Sequence, residues 1–203
     1  MRKFFITIIF LTLPVFTAVA ETNKSNSPQL DAFLNLKTLS AEFTQENYYP
    51  GVDNFSHKGK VYIVRPEIAL WDYENPVEYY LMEPGKITHY SKSLKQLIKM
   101  NVDSNNSSDP TGLLLGIFLD SSKVKEQFRV SEKDNTITLV PYSKLGLESI
   151  IITMNKNVVE QVYSKDEAGN AITIRFSKVK QNIPLEPSLF QKSLPEETHI
   201  FEQ

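Results

Sequence analysis

The sequence predicts a mainly β domain: one large antiparallel sheet with a few short helices laid against it. Three observations predict it. Short apolar stretches with a period of two recur along the chain. Pro, Gly or Asn separates most of them, as turns between neighbouring strands require. Two Ser/Asp-Pro pairs, Ser27-Pro28 and Asp109-Pro110, stand directly ahead of apolar runs and mark short helices.

In chain order, the first segment is an export signal. Arg2 and Lys3 precede an apolar run from Phe4 to about Val19, and Ala18-Val19-Ala20 has the small-x-small form of a cleavage site. Cleavage is expected after Ala20, leaving 21–203 as a single domain. A helix is expected from Pro28 to near Leu39, capped by Ser27, with Leu30, Phe33, Leu34 and Lys37 at helical spacing. Leu39, Ala41 and Phe43 then alternate with Ser40, Glu42 and Thr44, as on a strand with one buried face. Further strands are expected at 60–64, 68–73, 79–82 and 86–90. The stretch 101–112, NVDSNNSSDPTG, reads as a loop. It leads into a short, very apolar helix holding Leu113, Leu114, Leu115, Ile117 and Phe118. Strands resume at 128–130, 136–140, 149–154, 158–163 and 171–176, with Glu167 to Asn170 turning between the last two. A last helical turn is expected at Pro187 to Phe190.

Composition excludes several function classes. There is no cysteine, so no thiol nucleophile or thiolate metal site exists. The formal charge of −2 is opposite to the basic surface that nucleic acid requires, so no nucleic-acid partner is expected. His57, His89 and His199 lie far apart, and no metal or cofactor is expected. No G-x-S-x-G, P-loop or G-x-G-x-x-G motif is present, so no catalytic residue is assigned.

The stretch VRPEIALWDYENP, residues 64–76, carries the functional question. Val61, Ile63 and Arg65 share one side of their strand, and Arg65 ends it just before Pro66. A guanidinium has five donors and no acceptor. On an exposed rim it needs nothing more. At the mouth of an apolar interior it must find acceptors, because an unpaired buried charge is very unfavourable. The sheet and its helices can enclose either a packed core or a cavity closed by a lid. The 12 Phe and 9 Tyr suit both.

The order and spacing of particular residues then resemble a known family. Leu39-Ser40-Ala41-Glu42-Phe43-Thr44-Gln45 is followed by Lys58-Gly59-Lys60 and by Arg65-Pro66 with Trp71 and Pro76. Gly85-Lys86 with Tyr90, Leu113-Leu114, Val140-Pro141, Asp166 to Asn170, Phe176-Ser177 and Phe190 complete the succession. Over about residues 28–195 this is similar to the periplasmic outer-membrane lipoprotein carriers, the LolA family. The resemblance implies an incomplete, half-open antiparallel β-barrel covered by a helical lid. It implies a monomeric periplasmic chaperone whose cargo is acylated lipoproteins. They would come from an ABC-type release complex in the inner membrane and go to an acceptor lipoprotein at the outer membrane.

Residue by residue, Arg65 matches the family's lid-tethering arginine, with Thr111, Leu113 and Leu114 expected on the lid side of that gate. Trp71 matches an aromatic of the cavity wall. Phe43, Val61, Ile63, Met82, Tyr90, Leu115 and Phe118 are expected to complete the acyl-chain cavity. There is one departure. Two positions before Trp71 the family often has a bulky residue, and here it is Ala69. That keeps open a carrier or sensor of another lipid, phospholipid or glycolipid, on the same half-barrel. An enzyme acting on lipids is the other open class.

Overall fold

The computed structural model describes residues 27–101, 110–143 and 146–202, with side chains omitted for 110–113. The expected signal peptide and most of the loop before the second helix lie outside these residues.

The chain begins with α1, Pro28–Leu34. Six strands follow: β1 Thr38–Tyr48, β2 Phe55–Val64, β3 Ile68–Tyr73, β4 Glu78–Glu83, β5 Lys86–Ser91 and β6 Gln96–Asn101. Two helices come next, α2 Pro110–Leu119 and α3 Ser122–Gln127. Five strands return: β7 Phe128–Lys133, β8 Thr136–Pro141, β9 Leu147–Asn155, β10 Val158–Asp166 and β11 Ala171–Gln181. A single 3₁₀ turn, Pro187–Phe190, and a short strand β12, His199–Glu202, end the described chain.

All twelve described strands form one sheet in the order β12-β6-β5-β4-β3-β2-β1-β11-β10-β9-β8-β7. Neighbours are antiparallel except β12, which pairs parallel with β6. The ladder runs from β12 to β7 without closing, so the half-open barrel expected from the sequence is what forms. β1 lies at its centre, paired along nearly its whole length with β2 on one side and β11 on the other.

Strict alternation sorts the residues of β1. Leu39, Ala41, Phe43, Gln45 and Asn47 are buried, whereas Glu42 and Glu46 face outward to Lys178 and Arg175. The inner face continues through Val61, Ile63, Ala69, Trp71 and Met82 on one wing. On the other it continues through Phe176, Ile174, Val162, Ile152, Ile150 and Leu139. Each large apolar side chain among them contributes roughly 1.5–3 kcal/mol when fully buried. The helices supply the other half of this core: Leu30 and Phe33 from α1, Leu114, Leu115, Ile117 and Phe118 from α2, and Val124 from α3.

A second, smaller cluster lies on the opposite face of β3–β6. Leu70, Tyr79, Tyr90 and Leu97 pack there against Leu81, Tyr62 and Phe190. The C-terminal segment crosses this face. Lys192 reaches Asp72 at 2.5 Å and sits over the Tyr79 ring. Tyr90 is therefore buried but does not line the inner face as expected. It stands opposite Tyr79 and Leu97 in the ladder, and period-two geometry turns all three away from Met82 and Ile87.

Local differences from the expected elements have local causes. α1 stops at Leu34, and the next strand begins at Thr38. The Ser27 side chain does not close onto the helix amides. Instead the Glu132 carboxylate of β7 accepts from the Gln29 and Leu30 N–H groups at 3.2 and 2.9 Å. A carboxylate there satisfies orphan donors and the positive end of the helix together. β6, β12 and α3 lie beyond the elements expected from the sequence.

Candidate functional site

The site is built around Arg65, which follows the last residue of β2. Its backbone N–H donates to Lys37 O at 2.8 Å, which holds the start of the turn against the link between α1 and β1. The side chain points to the two helices. Nε donates to Phe118 O at 2.6 Å and Nη2 to Ile117 O at 3.2 Å. Nη1 donates to Phe33 O at 2.6 Å and to Leu36 O at 3.4 Å. The guanidinium carbon lies 4.6 Å from the centre of the Phe33 ring.

One side chain thus meets four carbonyl oxygens at or just beyond the C-terminal ends of α1 and α2. Helix ends leave such groups without partners, and the dipole favours a cation there. Burial pulls the Arg65 pKa down from its ordinary value to about 10, and the Asp120 carboxylate opposes the shift. The group stays cationic at neutral pH. Ser121 adds a second tie between the helices, donating to Leu34 O at 3.0 Å.

The α2 partners of Arg65 lie further along the helix than the sequence predicts. Among the described residues of α2, Arg65 meets Ile117 and Phe118, further along than the turn around Thr111 to Leu114. Polarity explains this. The N-terminal end of α2 presents N–H groups, and arginine has only donors to offer. The side chains of Thr111 and Leu113 lie outside the described residues. Leu114 is buried in the main core beside Leu115.

Behind Arg65, the inner face is a chain of aromatic rings. Phe33 meets Phe118 edge-on at 5.6 Å, and Phe118 meets Trp71 at 5.8 Å. Trp71 meets Phe43 at 5.3 Å, and Phe43 meets Tyr73 at 5.0 Å. Phe176 closes the group against Trp71 and Phe118. Phe43, Val61, Ile63, Trp71, Met82, Leu115 and Phe118 come together in this one core. Ala69 also faces it, paired with Ile63 and Met82 and fully buried.

At the far end of β1 the face becomes polar. The Tyr73 hydroxyl donates to Gln45 Oε1 at 2.9 Å, and Gln45 Nε2 donates to Asn47 Oδ1 at 2.9 Å. Burial, ahead of Tyr80 and Glu78, raises the Tyr73 pKa, so the phenol remains a donor. Sequence reasoning passed over this ledge. Its signal was present, since Gln45 and Asn47 share the strand face of Phe43. The Phe33 and Leu36 carbonyls had no such signal, because a backbone oxygen has no side-chain signature. Among the described residues no three His, Asp or Glu side chains gather as a metal site, and no helix is long and apolar enough to cross a membrane.

Chemically, this arrangement holds two helices over an apolar face through one charged side chain. Known proteins share the fold. A crystal structure of an uncharacterized conserved protein from Thermus thermophilus superposes with a TM-score of 0.53 at 12% identity, over 87% of this chain and 98% of that one. In sequence, the chain is 29% identical to an outer-membrane lipoprotein carrier protein of Methylococcus capsulatus, over 92% of this chain and 91% of that protein. It is 26% identical to a protein of the same description from Francisella philomiragia, over 97% of both. Residues 34–193 match the family described as outer membrane lipoprotein carrier protein LolA. With its unclosed sheet under short helices and this match over most of its length, the chain belongs to the LolA family.

Proposed function

We propose that this protein is a periplasmic carrier that covers the acyl chains of lipoproteins. It takes them from an ABC-type release complex of the inner membrane and passes them to an acceptor lipoprotein of the outer membrane. In this reading the segment up to Ala20 is removed on export. The relatives' description as lipoprotein carriers supports the cargo class. The observation that carries the mechanism is the contact of Arg65 with both helix ends.

The energetics fit a gate. Each buried CH₂ contributes about 0.8 kcal/mol, so an acyl chain of ~14 such groups gains on the order of 11 kcal/mol on leaving water. Hydrogen bonds from a charged donor are worth roughly 1.5–3 kcal/mol each. The gate's bonds stabilise the empty, closed state, and an entering chain outweighs them. Phe118 is fully buried on the inner face and occupies space a chain would need. Insertion therefore has to lift α2, and lifting α2 breaks the Arg65 contacts to Ile117 and Phe118. The closed state competes with bound cargo, which weakens apparent affinity and permits release without ATP.

The test is native mass spectrometry after incubation with inner-membrane vesicles and ATP, for wild type and Arg65→Leu. A complex with acylated lipoprotein is expected for both. The variant should accumulate it and transfer it poorly. Bound phospholipid or glycolipid instead would move the function to another lipid, the reading that Ala69 on the inner wall keeps open. No bound lipid would make the inner face a packed core.

A further inference from the structure

Among the described residues, two buried donors on the inner face have no acceptor. Asn47 is 3% exposed, and its Nδ2 is unpaired. Trp71 is fully buried, and its indole N–H is unpaired. Leaving a buried donor unsatisfied is unfavourable, and such groups are few in folded proteins. The chain Tyr73 to Gln45 to Asn47 runs in one direction, each group donating to the next, and it ends on the free amide of Asn47. The Trp71 ring stands among the Phe43, Phe118 and Phe176 rings. A purely apolar ligand would leave both donors orphaned, whereas a ligand carrying carbonyl oxygens would satisfy them.

We infer that the Asn47 amide, held by Gln45 and Tyr73, and the Trp71 indole N–H are two separate polar points on the inner face, and that each donates to a carbonyl oxygen of ester-linked acyl chains. This rests on the carrier reading and deepens it. The apolar wall supplies affinity for the chains. The two donors select for ester linkage.

The experiment compares two glycerolipids matched in chain length, one diester and one diether. Each competes against an environment-sensitive apolar dye bound to the full mature protein. The diether is the more apolar ligand, so a wall without donors would bind it at least as well. Wild type is expected to prefer the diester by about tenfold, the ratio that one net hydrogen bond supplies. Asn47→Leu should bring that ratio below about twofold while both lipids still bind. Trp71→Phe, which keeps a ring and removes the N–H, should lower it as well. Equal affinities in wild type, or an undiminished preference in both variants, would overturn the subsite and leave the carrier reading standing. Failure of both lipids to displace the dye from wild type would overturn the subsite and the carrier reading together.

Discussion

Gly59 shows how much a single residue decides about the inner wall. It stands directly opposite Phe43 in the β1–β2 ladder, and the Phe43 ring lies across it. A Cβ at this position would fall within contact distance of the Asp72 carbonyl oxygen and 2.7 Å from Phe43 Cζ. The absence of a side chain lets Phe43 reach Trp71 and Tyr73. Gly59→Ala should therefore lower stability by roughly 1–3 kcal/mol through overpacking. Urea unfolding checks this: the midpoint should fall with the slope unchanged. An unshifted midpoint would mean that the wall yields freely. Arg65 shows the opposite case, a residue whose chemistry was legible and whose partners were not. Its strand end and its lack of acceptors were readable in VRPEIALWDYENP. The carbonyls that it meets belong to Phe33, Leu36, Ile117 and Phe118, whose side chains are apolar and give no sign of that contact.

At the scale of elements, each of the first two helices is held by groups outside itself. α1 has seven residues, too few to be stable alone. Its N-terminus rests on Glu132 and its C-terminal end on Arg65. Glu132→Ala removes the first anchor and should cost about 1 kcal/mol, as for the loss of a helix cap. Amide exchange in α1 should accelerate while the centre of β1 stays protected. Unchanged exchange in α1 would mean that burial of Leu30 and Phe33 holds the helix unaided. The strands with a clean period of two were legible, because half their residues meet the core and half meet water. β12 was not, because all four of its residues are exposed and no alternation exists to be seen. It forms on the β6 backbone, with Lys95–Glu197 and Lys99–Glu202 alongside. Exposed pairs of this kind contribute little, so the parallel ladder is what holds it.

At the scale of the molecule, one sheet serves two apolar clusters. The inner one joins the sheet to the helices, and the outer one joins β3–β6 to the C-terminal segment. Only the inner one changes if α2 lifts. The chain has one tryptophan, Trp71, and it lies on that inner face. Its fluorescence therefore reports occupancy without labelling. A lipid with brominated acyl chains should quench at least about half of it, and the same lipid without bromine should not. Quenching by brominated chains needs close approach, so none would be seen if the helices were a permanent part of the core.

The sequence by itself determined the class of structure, most of the strands, the apolar character of the second helix and the need of Arg65 for acceptors. Each depends on local periodicity or on the chemistry of one side chain. Tertiary structure decided which end of α2 meets Arg65, that Glu132 rather than Ser27 anchors α1, and that Tyr90 turns outward. It also decided that Gln45, Asn47 and Tyr73 join into one polar chain. These are relations between segments distant in sequence. Register between strands and polarity at helix ends set them, and neither is written in any single stretch of the chain.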